Sequence, residues 1–272
     1  MSLEIQIASD LHLEFWASKK KFGFLKPTAP ILALLGDTCC LGSDDDFLVF
    51  RRFIEEILPL YEHIIIITGN HEYYFNPATK IPPTKEHTMD AINAKLKAFC
   101  QTVSPKLHFL NNSTLKLTIA KKKYVIVGST LWSYIPIDQQ DRIQKSMSDY
   151  QYIYVQDGRK IRNVTAKEIS DLHLYNVKYL KRQIMHVKKE GAKLIIFTHH
   201  CPYIKPDHDI TTFDPAYYSD LTSLIKSPVV FWGYGHTHIK DDTVVNGVRI
   251  YSNPKGYPSQ RTGYNNNSKA KI

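Results

Sequence analysis

The side chains able to do chemistry in this sequence stand directly after short apolar runs. Asp10 and His12 follow Ile5-Gln6-Ile7-Ala8-Ser9, and Gly36-Asp37 follows Leu34-Leu35. Gly69-Asn70-His71-Glu72 follows Ile67-Thr68, His199-His200 follows Phe197-Thr198, and Gly235-His236-Thr237-His238 follows Phe231-Trp232-Gly233. Carboxylates, imidazoles and an amide oxygen are donors for Mn, Fe, Zn or Co rather than a Ca-type set, and no thiolate is spaced to join them. Singly, each has an ordinary explanation. Asp10-x-His12 is short enough to recur by chance, Gly36-Asp37 reads as a turn whose Asp caps a helix, and His199-His200 reads as a strand end with one histidine solvated. His236-x-His238 is the sharpest, because spaced histidines in a glycine-flanked turn are poor core material and good ligands. Convergence decides the matter. In open α/β sheets the functional crevice lies at the carboxyl ends of strands, and five expected strands deliver ligand types to that edge. The pattern predicts a site for two metal ions.

The elements that must position these groups are legible as apolar runs alternating with helical patterns. Ile31 to Leu35, Ile64 to Thr68, Tyr124 to Val127, Leu194 to Thr198 and Val229 to Trp232 are apolar on both faces, as in strands covered on both sides. Between them, Ser43 before Asp44-Asp45-Asp46 caps a helix over Phe47 to Leu58, and Thr84 to Phe99 is a second helix. Thr165-x-x-Glu168 is a capping box for a long helix to Glu190, stopped by Gly191. Asn246-Gly247 predicts a tight hairpin, and Asp157-Gly158 a smaller one. Leu107 to Leu110, Leu115 to Ile119 and Tyr124 to Val127 lack long helices between them and read as a meander, so the sheets are expected to be mixed. Residues 132–164 are expected to form a cap or rim. A single α/β domain is expected over 1–264, with a frayed polar tail over 265–272.

Composition sets bounds rather than function. The 272 residues are 43% hydrophobic, enough for one large core. No run approaches the roughly 20 apolar residues of a membrane helix, and no signal peptide is legible. Cys39, Cys40, Cys100 and Cys201 show no paired spacing, which suits a reduced cytosol and a cytoplasmic location. Lys and Arg total 35 against 26 Asp and Glu, a formal charge of +9. That balance suits an anionic partner, with nucleic acid as one option and a solvated basic surface as the plainer one.

Taken in order, Asp10-x-His12, Gly36-Asp37, Gly69-Asn70-His71-Glu72, His199 and Gly235-His236-Thr237-His238 resemble the calcineurin-like metallophosphoesterase superfamily from Asp10 to about Tyr257. The phrases Ser9-Asp10-Leu11-His12-Leu13-Glu14, Leu131-Trp132-Ser133 and Asn253-Pro254-Lys255-Gly256-Tyr257 resemble a small bacterial branch of it. The resemblance implies a four-layer sandwich of two mixed β-sheets flanked by helices. It implies that Asp10, His12, Asp37 and His238 hold one metal, that Asp37, Asn70, His199 and His236 hold the other, and that Asp37 bridges. Metals about 3.5–4 Å apart would share a hydroxide nucleophile, with His71 as the general acid at the leaving oxygen. In the protein phosphatase branch the Gly-Asp motif continues to a second Asp, followed by Arg. Here Cys40 and Leu41 stand there, so the partner orienting the catalytic histidine is either missing or supplied elsewhere, which points away from protein phosphatase activity. The lipid A precursor hydrolases typically carry Arg at the place of His71, which points away from that substrate. His200, Trp132 and Tyr73 are candidate substrate contacts, and Tyr74, Tyr134, Tyr203 and Phe213 are further rings near the ligand loops. The expected substrate is a small phosphomonoester or phosphodiester; a nuclease is the alternative, and a non-catalytic scaffold the remote one.

Overall fold

A computed structural model describes residues 2–76, 81–205 and 209–272. The first sheet contains β1 (Glu4–Ala8), β2 (Ile31–Leu35), β3 (His63–Ile67) and β4 (Leu107–Phe109), all parallel, in spatial order 1-2-3-4. The second contains β5 (Ser113–Ile119), β6 (Lys122–Ser129), β9 (Lys193–Thr198), β10 (Val229–Tyr234), β11 (Asp241–Val245) and β12 (Val248–Ser252), in order 11-12-10-9-6-5. Its four central strands run parallel and its two edge strands, β5 and β11, antiparallel. A separate hairpin pairs β7 (Tyr154–Asp157) with β8 (Lys160–Asn163).

Continuous apolar strands are what this layering demands. Along β2, Ile31, Ala33 and Leu35 face the other sheet, where they meet Ile126, Ile195, Phe197 and Phe231. Leu32 and Leu34 face the opposite way, onto Phe50, Phe53 and Ile54 of α1 (Asp44–Ile57) and Ile92 and Leu96 of α2 (Met89–Val103). On the far side, Val125, Leu194, Ile196 and Trp232 pack on Val177, Leu180 and Val187 of α5 (Ala166–Glu190). Four layers result, as the resemblance implies, the second sheet mixed through β5 and β11 and the first through the C-terminal strand that pairs antiparallel with β1.

Local signals explain most boundaries. The Ser43 hydroxyl accepts from the Asp46 amide and opens α1; Thr165 and Glu168 form the capping box of α5, and Gly191 ends it in the left-handed region. Asn246 and Gly247 both carry positive φ, which a two-residue turn between Val245 and Val248 requires. Thr84 caps only a short 3₁₀ turn over Lys85–His87, and α2 starts later, at Met89, than the sequence pattern suggests. The small hairpin turns at Gly158-Arg159, one residue beyond Asp157-Gly158, because Asp157 still pairs with Lys160. The expected three-strand meander is corrected. Only β5 and β6 form a hairpin; α2 serves as the crossover that lets β4 pair in parallel with β3, and the chain changes sheets after Phe109. Residues 132–164 supply α3 (Ile137–Ser146), the short α4 (Asp149–Tyr152) and the β7–β8 hairpin.

The C-terminal residues do not fray. Ala270–Lys271 forms β13, antiparallel to β1 at the edge of the first sheet. Buried Asn253 donates to the Ile7 and Asn265 carbonyls and to the Ser268 hydroxyl, while its Oδ1 accepts from the Asn265 amide. Gln6 Nε2 donates to the Asn266 carbonyl. A polar composition is therefore used inside, each amide satisfied by a neighbour. Removing residues 265–272 would orphan several of these groups, and each buried unpaired group costs about 1–3 kcal/mol. Truncation is expected to lower unfolding stability by about 3 kcal/mol, read as the urea midpoint; an unchanged midpoint would show that this end is dispensable.

Candidate metal centre and its cleft

The five ligand-bearing segments are stitched to one another through their backbones. The Asp10 amide donates to the Gly36 carbonyl, His12 to the Asp37 carbonyl, Gly235 to the His199 carbonyl and Gly256 to the Asp10 carbonyl, at 2.9–3.0 Å. Buried Glu72 adds the central tie: Oε2 accepts from the Asp37 and Gly69 amides at 2.9 and 2.5 Å, and Oε1 from the Thr38 amide at 2.7 Å. Burial and the nearby Asp37 charge push the Glu72 carboxyl up to about 7 against those donors. Glycine is needed where the loops touch. A Cβ at Gly69 would strike Asp37 Oδ1 and the His199 ring, and Gly36, at φ 83°, also lies against that ring.

The side chains converge as the sequence pattern requires. Asp10, His12 and His238 offer donor atoms within 4.8 Å of one another, and so do Asp37, His199 and His236. Asp37 lies between these groups, with Oδ1 3.3 Å from His199 Nε2 and Oδ2 4.0 Å from His12 Nε2. Three imidazoles are pinned through Nδ1, which leaves Nε2 inward. His12 Nδ1 is 3.1 Å from Glu14 Oε1, His199 Nδ1 is 2.8 Å from the Leu35 carbonyl, and His238 Nδ1 is 2.6 Å from Gln260 Oε1. His12 Nε2 and His238 Nε2 face each other at 3.1 Å. Asn70 sends Oδ1 to within 3.1 Å of His199 Nε2, while its Nδ2 donates to Asp149 of α4 and to the Tyr74 hydroxyl. His236 stacks on Tyr217 and lies 4.1 Å, ring to ring, from His200.

The electrostatics follow from burying these groups together. Burial works against both carboxylates, yet His199 and His71 hold Asp37 well below the usual carboxylate range, and His238 does the same, less strongly, for Asp10. Burial would lower His199 and His71, but Asp37 first outweighs it in both, raising them to about 10 and about 9. His236 goes the other way, to about 3, through burial and the neighbouring His199. His200 is pushed well down by burial, His236 and His199.

An open cleft of about 930 Å³ lies over this centre. Asp37, Asn70, His71, His236 and His238 form its floor, and the rings of Phe15, Tyr74, Tyr152, Tyr217, Tyr218 and Tyr257 its walls. None of the three expected substrate contacts lines this cleft. Tyr73 is buried, its hydroxyl bonded to Thr68 and Asn93 and its ring stacked on Trp132, which is itself 3% exposed. Their large apolar surfaces belong to the core. His200 is also buried, its Nδ1 against the Thr130 carbonyl, so it reaches the site only through His236. Of the other rings, Tyr74 lines the cleft, Tyr203 is buried against Asp241, and Tyr134 lines a neighbouring pocket. The residues missed are Glu14, Asp149, Tyr217, Tyr257 and Gln260. Glu14 continues the two-residue spacing of Asp10 and His12, a signal that was available; Asp149 had none.

Two mixed sheets with this centre at their strand ends define a metallophosphoesterase. The chain belongs to the calcineurin-like phosphoesterase family, whose model matches residues 3–240, and it is a phosphoesterase of that class. It is 30% identical over 281 residues to an uncharacterized protein of Acanthamoeba polyphaga mimivirus, covering 96% of this chain and 94% of the relative. In fold it is similar to the phosphopantetheinyl hydrolase PptH of Mycobacterium tuberculosis, with a TM-score of 0.66 at 16% identity over 94% of this chain and 90% of that one. It is also similar to TT1561 of Thermus thermophilus, with a TM-score of 0.52 at 14% identity over 93% and 90% of the respective chains. Among the described residues no helix is long and apolar enough to cross a membrane.

Glu72 carries a direct test of how the loops are held. Glu72→Ala would leave three buried amides unpaired, at about 1–3 kcal/mol each. Metal-free Glu72→Ala protein is expected to lose about 3 kcal/mol or more in urea unfolding, with Glu72→Gln losing less because one acceptor oxygen remains. A loss below about 1 kcal/mol for the alanine variant would show that the amides find other partners.

Proposed function

We propose that this phosphoesterase hydrolyses a small-molecule phosphomonoester or phosphodiester at a centre of two metal ions bridged by Asp37. The observation that carries the reading is the position of Asp37, one oxygen toward His199 Nε2 and the other toward His12 Nε2. The donor set fits such ions on its own chemistry. Each half brings imidazole and carboxylate, and the facing Nε2 atoms of His12 and His238 form a natural cation seat. Asp10, His12, Asp37 and His238 would hold one ion, and Asp37, Asn70, His199 and His236 the other. The mixed N/O set suits Mn, Fe, Zn or Co.

When bound, such a pair neutralises phosphoryl oxygens and brings the pKa of water toward neutrality. The chain's own residues supply the rest. Asn70 and the pinned imidazoles fix the donor geometry. His71 stands at the cleft floor with Nε2 3.2 Å from the Tyr257 hydroxyl, placed to give a proton to the leaving oxygen as the P–O bond breaks. The aromatic walls would pack against the substrate's organic part. Among the described lining residues there is no Lys or Arg, which favours a small phosphoester over a nucleic-acid backbone with its repeated charges.

Protein loaded with Mn²⁺ is expected to turn over p-nitrophenyl phosphate or its bis-ester, and the preferred ester assigns the substrate class. Asp37→Ala should lower kcat/KM on the order of 10³-fold or more and reduce bound metal, because several kcal/mol of charge stabilisation disappear. Near-normal turnover by that variant would overturn the bridging role.

A further inference from the structure

His71 is clamped on three sides. Its ring stacks on Tyr74 at 4.2 Å, its Nε2 meets the Tyr257 hydroxyl, and its Nδ1 lies 3.5 Å from Glu14 Oε1. The same oxygen lies 3.1 Å from His12 Nδ1, and a carboxylate oxygen has the two lone pairs that accepting from both rings requires. The other oxygen, Oε2, accepts from the Cys40 amide at 3.3 Å. Cys40 stands where the protein phosphatase branch carries its second Asp, so the backbone at that position now anchors a carboxylate from another loop. The route is set by His12, whose φ of 47° turns the chain into the 3₁₀ turn Leu13–Trp16 and brings Glu14 back between the rings. Among the described residues no other carboxylate pairs with the His71 ring.

We infer that Glu14 is the positioning residue of His71: by holding Nδ1 it aims Nε2 at the leaving oxygen, in place of the missing second Asp. The inference rests on the reading of His71 as the general acid. In the step concerned, hydroxide from solvent forms the new P–O bond. The old P–O bond breaks with its electron pair going to the leaving oxygen, and the Nε2 proton of His71 moves to that oxygen. Glu14 stays against Nδ1 throughout and exchanges no atom. Its effect must therefore depend on how much the leaving oxygen needs a proton. A nitrophenolate leaves readily without one, whereas a phenolate does not.

The test uses the Mn²⁺-loaded full chain and aryl phosphoesters graded from p-nitrophenyl to phenyl, of whichever ester class the protein turns over. Because Glu14 also anchors His12, the variants are assayed at Mn²⁺ concentrations that saturate each of them, and there Glu14→Gln is expected to lose about 10–100-fold in kcat on the phenyl ester and less than about 5-fold on the p-nitrophenyl ester. Glu14→Asp, which keeps the charge but shortens the reach, should fall between and serves if the glutamine variant fails to fold. His71→Ala should show the same split, and the double variant should lose no more than His71→Ala alone, as for residues acting as one unit. Three results overturn the inference. An equal loss across the series at saturating Mn²⁺ would show that Glu14 acts only as structure or only through His12. If His71→Ala splits the series and Glu14→Gln does not, the inference fails while the general-acid reading stands. If His71→Ala is itself flat, that reading fails first and takes the inference with it.

Discussion

The structure turns on the burial of two carboxylates, Asp10 and Asp37, at the meeting edge of two sheets. An isolated carboxylate in such a place costs many kcal/mol and would normally take up a proton. Here both are held in the charged form by imidazoles, chiefly His238 for Asp10 and His199 for Asp37. The arrangement is a cation-shaped demand built into the fold. Every surrounding feature, from the glycine contacts to the Nδ1 anchors, serves to keep these charges close without letting them relax apart.

Backbone strain is part of that service. Asp10, His12, Asp37, His236 and His238 all have φ between 47° and 67°, a region that costs a non-glycine residue about 1–3 kcal/mol. A strand continuing normally would send alternate side chains to opposite faces; a left-handed residue at its end redirects the chain across the edge instead. The strain persists because the loops hold one another. Glu72, which accepts three amides from two different loops, is the piece that makes the loops after β2 and β3 one rigid body. Its carboxylate is therefore used for backbone rather than for chemistry, although it sits in the same short phrase as Asn70 and His71.

Much of this was legible in the sequence because strand ends are local. The apolar runs, the glycines and the ligand types lie within a few residues of one another, so periodicity alone places them on one edge. What was hidden depends on partners distant in the chain. Asn253 and the segment after Asn265 look like polar loop material until they are seen satisfying each other against Ile7. β4 looked like part of a meander because it is short, and only the α2 crossover assigns it to the first sheet. Tyr73 and Trp132 were near the ligand loops in sequence but face the core, since a strand end offers two directions and aromatic area favours the buried one. The cleft walls came instead from Phe15, Tyr152, Tyr217 and Tyr257, only the first of them near a ligand motif in sequence.

The net charge of +9 illustrates why composition argues weakly about substrates. Several basic side chains are occupied on the surface: Arg162 with Asp157 and Glu168, Arg249 with Asp242, Lys95 with Asp44. Lys19 and Lys255 lie over the ring of Trp16, at 4.7 and 4.1 Å from its centre, outside the cleft lining. The described cleft itself is lined by rings, hydroxyls and carboxylates. A phosphoryl group entering it meets positive charge only at the floor, from the imidazoles and from the ions they are arranged to hold. Attraction concentrated at one point, with no Lys or Arg among the described lining residues, is the property on which the proposed small-ester reading rests. A chain of phosphates would find one position of gain followed by carboxylates such as Asp46. Where the charge lies around the cleft therefore bears on the choice of anion more than the overall excess does.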